Sequence, residues 1–232
     1  YLSLEEYLSA DWRTLFLVLS GVALLALATG FTIRSDRFEY VHGEAGEFQW
    51  KPLLKVCIAM AFYVGAEVTL FGWAPTVMEL YHGIPAGRAR LAPSLFWIGM
   101  LAGRVLTARL TSRFSAASLL RLSSLLGVAA SLLLVIVRSE ILIWFAVALA
   151  SLACAGIWPL IVATSGSSGH ETGTTITVAA GGLGASLFPY LAGRIAEFLP
   201  GHFVLASAAP LLLVVFLLSR PALDRGGAAT AP

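Results

Sequence analysis

The chain has 232 residues, 58% of them apolar and 12% charged, with a formal net charge of +2. A soluble domain keeps about a quarter of its residues charged, so these side chains are too few to clothe a water-facing surface. The hydrocarbon of a bilayer is the solvent that fits, and a net charge this small excludes a broad basic face for nucleic acid.

The charges before the first apolar run are acidic (Glu5, Glu6, Asp11) apart from Arg13, so the start does not read as a secretory signal. The chain, opening on Tyr1, is expected to begin inside a longer protein. A spanning helix needs about 20 mostly apolar residues. The runs 14–33, 53–80, 91–110, 116–137, 140–165, 173–198 and 203–219 meet that need. They are expected to be helices, because a lone strand in lipid leaves its backbone groups unpaired. A barrel would alternate polar and apolar residues; Ser131-Leu132-Leu133-Leu134-Val135-Ile136-Val137 does not.

Between the first two runs, residues 34–51 carry Asp36, Glu39, Glu44 and Glu47 beside Gly43 and Gly46, the composition of a solvated linker. Residues 221–232 are rich in Gly, Ala and Pro and read as a flexible tail. The division expected is therefore 1–33, the linker 34–51, a six-helix unit 52–220 and the tail. With the linker on the cytoplasmic side, that side holds Arg34, Arg37, Lys51, Lys55, Arg104, Arg109, Arg113, Arg121, Arg220 and Arg225. The other holds only Arg13, Arg88, Arg90, Arg138 and Arg194. The positive-inside bias places the C-terminus in the cytoplasm.

Cys57 and Cys154 are the only cysteines; they lie in apolar runs, read as packing residues and exclude a disulfide framework. His42, His82, His170 and His202 fall in polar connections with no metal-ligand spacing, so no metal and no cofactor is expected.

Two short patterns recur. Gly72-Trp73-Ala74-Pro75 is matched by Gly156-Ile157-Trp158-Pro159, and Leu101-Ala102-Gly103-Arg104 by Leu191-Ala192-Gly193-Arg194. The proline offset is 84 residues and the arginine offset 90. Nearly equal offsets point to one three-helix unit used twice. An odd number of spans inserts the second copy upside down, as transporters with inverted repeats do.

These residues resemble the major facilitator superfamily. Asp11-Trp12-Arg13 is similar to the entry of that family's sixth helix, and residues 34–51 to its central cytoplasmic loop. Gly103-Arg104, Arg109 and Thr111-Ser112-Arg113-Phe114-Ser115 resemble its cytoplasmic signature, with Ser112 where Asp is usual and Ser115 where Gly is usual. Tyr63-Val64-Gly65-Ala66-Glu67 with Gly72-Trp73, and Gly156-Ile157-Trp158-Pro159, resemble the fucose permease-like, sugar-symporting branch. The resemblance implies an all-α helical bundle: the last helix of an N-terminal half, then a six-helix C-terminal half. It also implies a multi-pass protein of a bacterial-type cytoplasmic membrane that moves a small polar, sugar-like solute by ion-coupled alternating access. Its partners would be the bilayer, the solute, a proton or sodium ion, and the missing N-terminal half. Without that half the chain is expected to insert but not to drive net transport, unless it dimerises to imitate the absent half.

Glu67 is the one acidic residue deep inside a run. A carboxylate at that depth is costly and turns toward a cavity or a partner. It is the candidate for ion coupling or for accepting a hydrogen bond from a hydroxyl of the solute; the structural alternative is a carboxylate bonded to helix-lining hydroxyls such as that of Thr69. Tyr63, Trp73 and Trp158 are candidate solute contacts, since a ring face meets C–H groups while its polar edge donates; Trp97 and Tyr190 share the pattern. Pro75 and Pro159 are candidate kinks, and Gly99, Gly103 and Gly182 candidate points of close helix approach or gating. Arg104 and Arg194 are expected near helix ends, reaching the interface.

Other readings remain open: export of drugs or organic anions, or a non-transporting receptor on the same fold. An enzyme is not expected. Gly166-Ser167-Ser168-Gly169-His170 spells an intramembrane serine protease motif, but it lies in a polar loop and no run supplies the histidine base.

Overall fold

The computed structural model describes residues 17, 18, 20–25, 27, 28, 50–166 and 171–219. The chain forms two units, Tyr1–Gly43 and Glu44–Pro232. In the first, the described residues, from Leu17 to Ala28, are helical. Most of the linker 34–51, the tail 221–232, Asp11-Trp12-Arg13 and the serines of the protease-like motif lie outside the described residues.

In the second unit the elements are α1 (Trp50–Leu80), α2 (Ala86–Ala89), α3 (Ala92–Leu110), α4 (Ala116–Ile136), α5 (Glu140–Ala155), α6 (Ile157–Gly166), α7 (Glu171–Ile195), α8 (Phe203–Ala206) and α9 (Ala208–Leu218). No strand occurs among the described residues. Among the described residues five stretches are long and apolar enough to cross a membrane: Trp50–His82, Ala86–Leu110, Ala116–Ile136, Glu140–Ala163 and Gly173–Ile195. Phe203–Leu218 is apolar but shorter. Of the seven expected spans, then, five are of full length, one is short, and half of the first, 14–33, lies outside the described residues.

Proline and glycine set the breaks. Pro93 sits in the first turn of α3, where its missing N–H costs nothing. Pro159 cannot donate to the Ala155 carbonyl, and the expected single run 140–165 is interrupted between Ala155 and Ile157. Pro210 likewise cannot serve the Ala206 carbonyl, and the last run divides at Ser207. Around Pro75, by contrast, α1 runs through without interruption. After α1, Gly83 takes φ +67°, a backbone region that favours glycine, and Ile84 N–H donates to Met78 O at 3.0 Å to turn the chain. The run expected to reach residue 198 ends at Ile195, where Arg194 pairs with Glu197 across a turn and Pro200 follows.

The packing has a simple order. Helix α1 lies against α7 and α9, α5 lies against α3 and α4, and α4 meets α9. Exchanging the first three spans with the last three maps these pairings onto themselves, the arrangement an internal repeat produces. Buried hydroxyls take carbonyls of their own helix: Thr69 to Gly65 at 2.7 Å, Ser124 to Leu120 at 2.7 Å, and Thr177 to Gly173 at 2.8 Å. A dry interior leaves them no other inexpensive partner. Outside, Ile98, Leu101, Phe145 and Leu183 are exposed, a coat that suits lipid tails rather than water.

Candidate functional site

Helical spacing assembles one face of α1. Val64, Glu67, Val68 and Phe71 follow the i, i+3, i+4, i+7 pattern of a single stripe. Trp97 and Arg104, two turns apart on α3, face the same space, and Trp158 closes it from the first turn of α6. Together they line a cleft of about 410 Å³, within the size range of small-molecule sites. A second cleft of about 360 Å³ adjoins it, lined by Arg104, Thr107, Ala108 and Thr111 of α3 and by Trp158, Pro159, Leu160 and Ala163 of α6. Arg104 and Trp158 belong to both.

Glu67 is 7% exposed. The Thr69 hydroxyl donates to Gly65 O, so the helix-lining hydroxyl that bonds the Glu67 side chain is that of Tyr63, one turn earlier. Tyr63, one turn before Glu67 and fully buried, donates its hydroxyl to Cys154 O at 3.1 Å, two residues before the break in the α5–α6 span. The Phe71 ring meets Trp97 at 5.6 Å and Phe96 at 5.8 Å, fixing the aromatic wall.

The model of the Major Facilitator Superfamily matches residues 4–181. The chain belongs to the Major Facilitator Superfamily. It is a multi-pass membrane protein of a transporter family, and its all-α bundle is the one that family builds. No curated protein and no solved structure matches the chain.

Within this major facilitator bundle the candidates separate. Glu67, Tyr63 and Trp158 gather at the break in the α5–α6 span. Trp73 does not join them: its indole N–H donates to Pro189 O at 3.1 Å, and its ring lies where a Cβ on Gly193 would sit. Tyr190 is exposed and lines neither cleft. Trp73→Phe is expected to lower stability by about 1 kcal/mol, the loss of one hydrogen bond, with transport unchanged. Thermal unfolding in detergent beside an uptake assay checks this; lost uptake at unchanged stability would put Trp73 on the solute path.

Arg104 corrects an expectation. It stands inside α3, six residues before the helix ends rather than at its end, and its exposed side chain lines both clefts. Arg194 is exposed near the end of α7 and pairs with Glu197, as its position implied. Arg109 lies in the last turn of α3 and Arg113 in the turn that follows. There Thr111 donates to Ala108 O and Ser112 to Arg109 O, both at 2.7 Å, so the two hydroxyls satisfy late carbonyls of the helix.

Gly99 and Gly103 seat α3 on α5. A Cβ on Gly103 would lie 2.5 Å from that of Ala155 and 3.0 Å from Leu152 O, and one on Gly99 would overlap the Ser151 hydroxyl. Gly182 meets nothing within 4 Å; the close approach in that segment falls to Gly184, against Ala61. Pro75 lies in neither cleft lining, whereas Pro159 lines the second. Val64, Val68, Phe71 and Thr107 were not among the expected site residues. The signal for the first three was helical spacing around Glu67.

Proposed function

We propose that the protein is an ion-coupled secondary transporter of a small polar, sugar-like solute, with Glu67 as the coupling group and the Glu67–Trp158 cleft as part of the solute path. The observation that carries this reading is a nearly buried carboxylate facing a cleft walled by aromatic rings, inside a bundle of spanning helices. Placing Glu67 there has a cost that a purely structural site has no reason to bear. The rings of Trp97 and Trp158 suit the C–H face of a sugar-like body.

The six-span unit is read as the C-terminal half of the transporter, with its tail in the cytoplasm. Its exchange-symmetric helix pairing supports this, since major facilitator halves consist of inverted three-helix repeats. Alternating access would come from one half rocking against the other around the cleft. The break at Gly156, where a Cβ would press on the Thr107 side chain, puts an irregular backbone segment beside that path.

The test is uptake by the intact transporter in proteoliposomes under imposed proton and sodium gradients, with a panel of sugars and sugar derivatives. Accumulation that collapses when the gradient is dissipated is the expected result. Transport of amphipathic cations with none of any sugar-like compound would overturn the reading in favour of a drug exporter. Solute binding without movement would make the protein a receptor.

A further inference from the structure

Tyr63 is fully buried in α1, and a phenol has a single proton to give beside an oxygen that can accept. That proton goes to Cys154 O at 3.1 Å. Glu67, one turn further along α1, brings its side chain within hydrogen-bonding reach of the same hydroxyl. The Cys154 carbonyl belongs to the last turn of α5, beside the break at which α5 stops at Ala155 and α6 starts at Ile157. The Gly156 N–H turns back to that carbonyl, and Pro159 offers no N–H to the neighbouring Ala155 carbonyl. A nearly buried acid and a backbone carbonyl at a helix break therefore share one phenol.

We infer that Tyr63 is a positioning residue that carries the charge state of Glu67 to the α5–α6 break: its O–H rests on Cys154 O while Glu67 is protonated and turns to the carboxylate when Glu67 is ionised. This rests on the coupling role proposed above for Glu67 and says how that role reaches the helices. With the acid protonated, its own O–H can donate to the phenol oxygen while the phenol donates onward to Cys154 O. Hydrogen bonds in such a chain strengthen one another. Loss of the proton changes what the acid needs. A carboxylate only accepts, and leaving it without a donor away from water costs far more than leaving a neutral carbonyl so. A hydrogen bond to an ionised acceptor is also roughly twice as strong as one between neutral groups. The single O–H follows the charge, and Cys154 O loses it. Tyr63 itself gains and loses no proton.

The consequence falls on α6. Its first turn carries Trp158 and Pro159, which line the clefts. At the break itself, a Cβ on Gly156 would press on the Thr107 side chain of α3. A hydrogen bond made or lost at Cys154 O acts on the irregular backbone from which that cleft wall extends. An element with two discrete arrangements, biased by the proton, is what coupling between a site and a helix movement requires.

The titratable and charged groups facing Glu67 are Tyr63 on its own helix, Arg104 on α3 and Cys154 on α5. Arg104 carries the same charge in both states. The other helices packed on α1 add none among the described side chains. Helices α6, α8 and α9 contain no titratable residue. On α7, Tyr190 is exposed and Arg194 is held by Glu197, and on α2 Arg88 is held by Glu140.

The test reads the Cys154 carbonyl directly, since a carbonyl that loses a hydrogen bond absorbs at higher infrared frequency. The intact transporter is isotope-labelled at its cysteine carbonyls, and the spectrum of equally labelled Cys154→Ser protein is subtracted to isolate that one group. The acid band of Glu67 is identified by its absence from Glu67→Gln. As rising pH removes the acid band, the Cys154 carbonyl band should move to higher frequency over the same pH range. In Glu67→Gln it should stay at its low-pH frequency at every pH, and in Tyr63→Phe at its high-pH frequency at every pH. Tyr63→Phe should also lower gradient-driven accumulation about tenfold, the effect of one hydrogen bond. Its unfolding temperature reports its folding, and the wild-type titration decides the question without it. A carbonyl band that stays in place while the acid band titrates would overturn the inference and leave Glu67 coupling standing. So would wild-type accumulation by folded Tyr63→Phe. Wild-type accumulation by Glu67→Gln, or an acid band unchanged over the pH range in which uptake varies, would overturn both.

Discussion

Glu67→Gln is expected to abolish gradient-driven accumulation in the intact transporter while exchange of solute across the membrane survives. Glutamine has the shape of a protonated glutamate and donates a hydrogen bond, but it cannot give up a proton. The surroundings make that difference count. The Tyr63 hydroxyl, which donates to Cys154 O at 3.1 Å, also lies within hydrogen-bonding reach of the Glu67 side chain. Protonated Glu67 and glutamine both stand beside it uncharged, and only Glu67 can alternate between that form and the carboxylate. The substitution therefore holds the site in its proton-loaded form. Exchange needs only the loaded form on both sides and should stay close to the wild-type rate. Net accumulation needs the carrier to return empty and should fall by about 100-fold or more, the order of effect expected when a positioned proton-transfer group is removed. Counterflow and pH-driven uptake in the same vesicles separate the two. Wild-type accumulation by the variant would remove Glu67 from the mechanism.

Much of this architecture was legible in the residues. The apolar runs marked the spans because a bilayer leaves few alternatives for an uncharged stretch of that length. Glu67 stood out because an acid is costly at that depth. Arg104 was missed for a physical reason. Its place in the run marked it only as a helix-end cation, whereas its register with Trp97, seven residues earlier on the same face, puts it on the cleft lining. Trp73 failed to match Trp158 for a reason visible only against the prolines. Trp73 lies two residues before Pro75 and Trp158 one before Pro159. One residue turns a helix by about 100°, so the two indoles leave their helices on different faces. The repeated pattern located equivalent segments without making equivalent side chains.

The close seat of α7 on α1 yields the other large effect. A Cβ on Gly184 would overlap the Ala61 carbonyl, a backbone group in the middle of a long helix that no rotamer change can move. Relief requires the two helices to separate. That would loosen neighbouring contacts in the same seam, where Gly181 lies against Met60 and Val64, and Gly65 against the Phe188 ring. Overpacking of this kind commonly costs about 1–3 kcal/mol, and a clash with backbone belongs at or above the upper end. Gly184→Ala is therefore expected to lower stability by about 3 kcal/mol or more and to deplete folded protein in detergent. Gly182→Ala is its control. That position is exposed, a Cβ there meets nothing within 4 Å, and alanine is the better helix former by about 1 kcal/mol. It should leave stability unchanged or slightly raised. Thermal unfolding with size-exclusion profiles of both variants measures the contrast. Equal stability of the two would show that α7 does not rest on α1 through Gly184, and the seam between those helices would have to be drawn elsewhere.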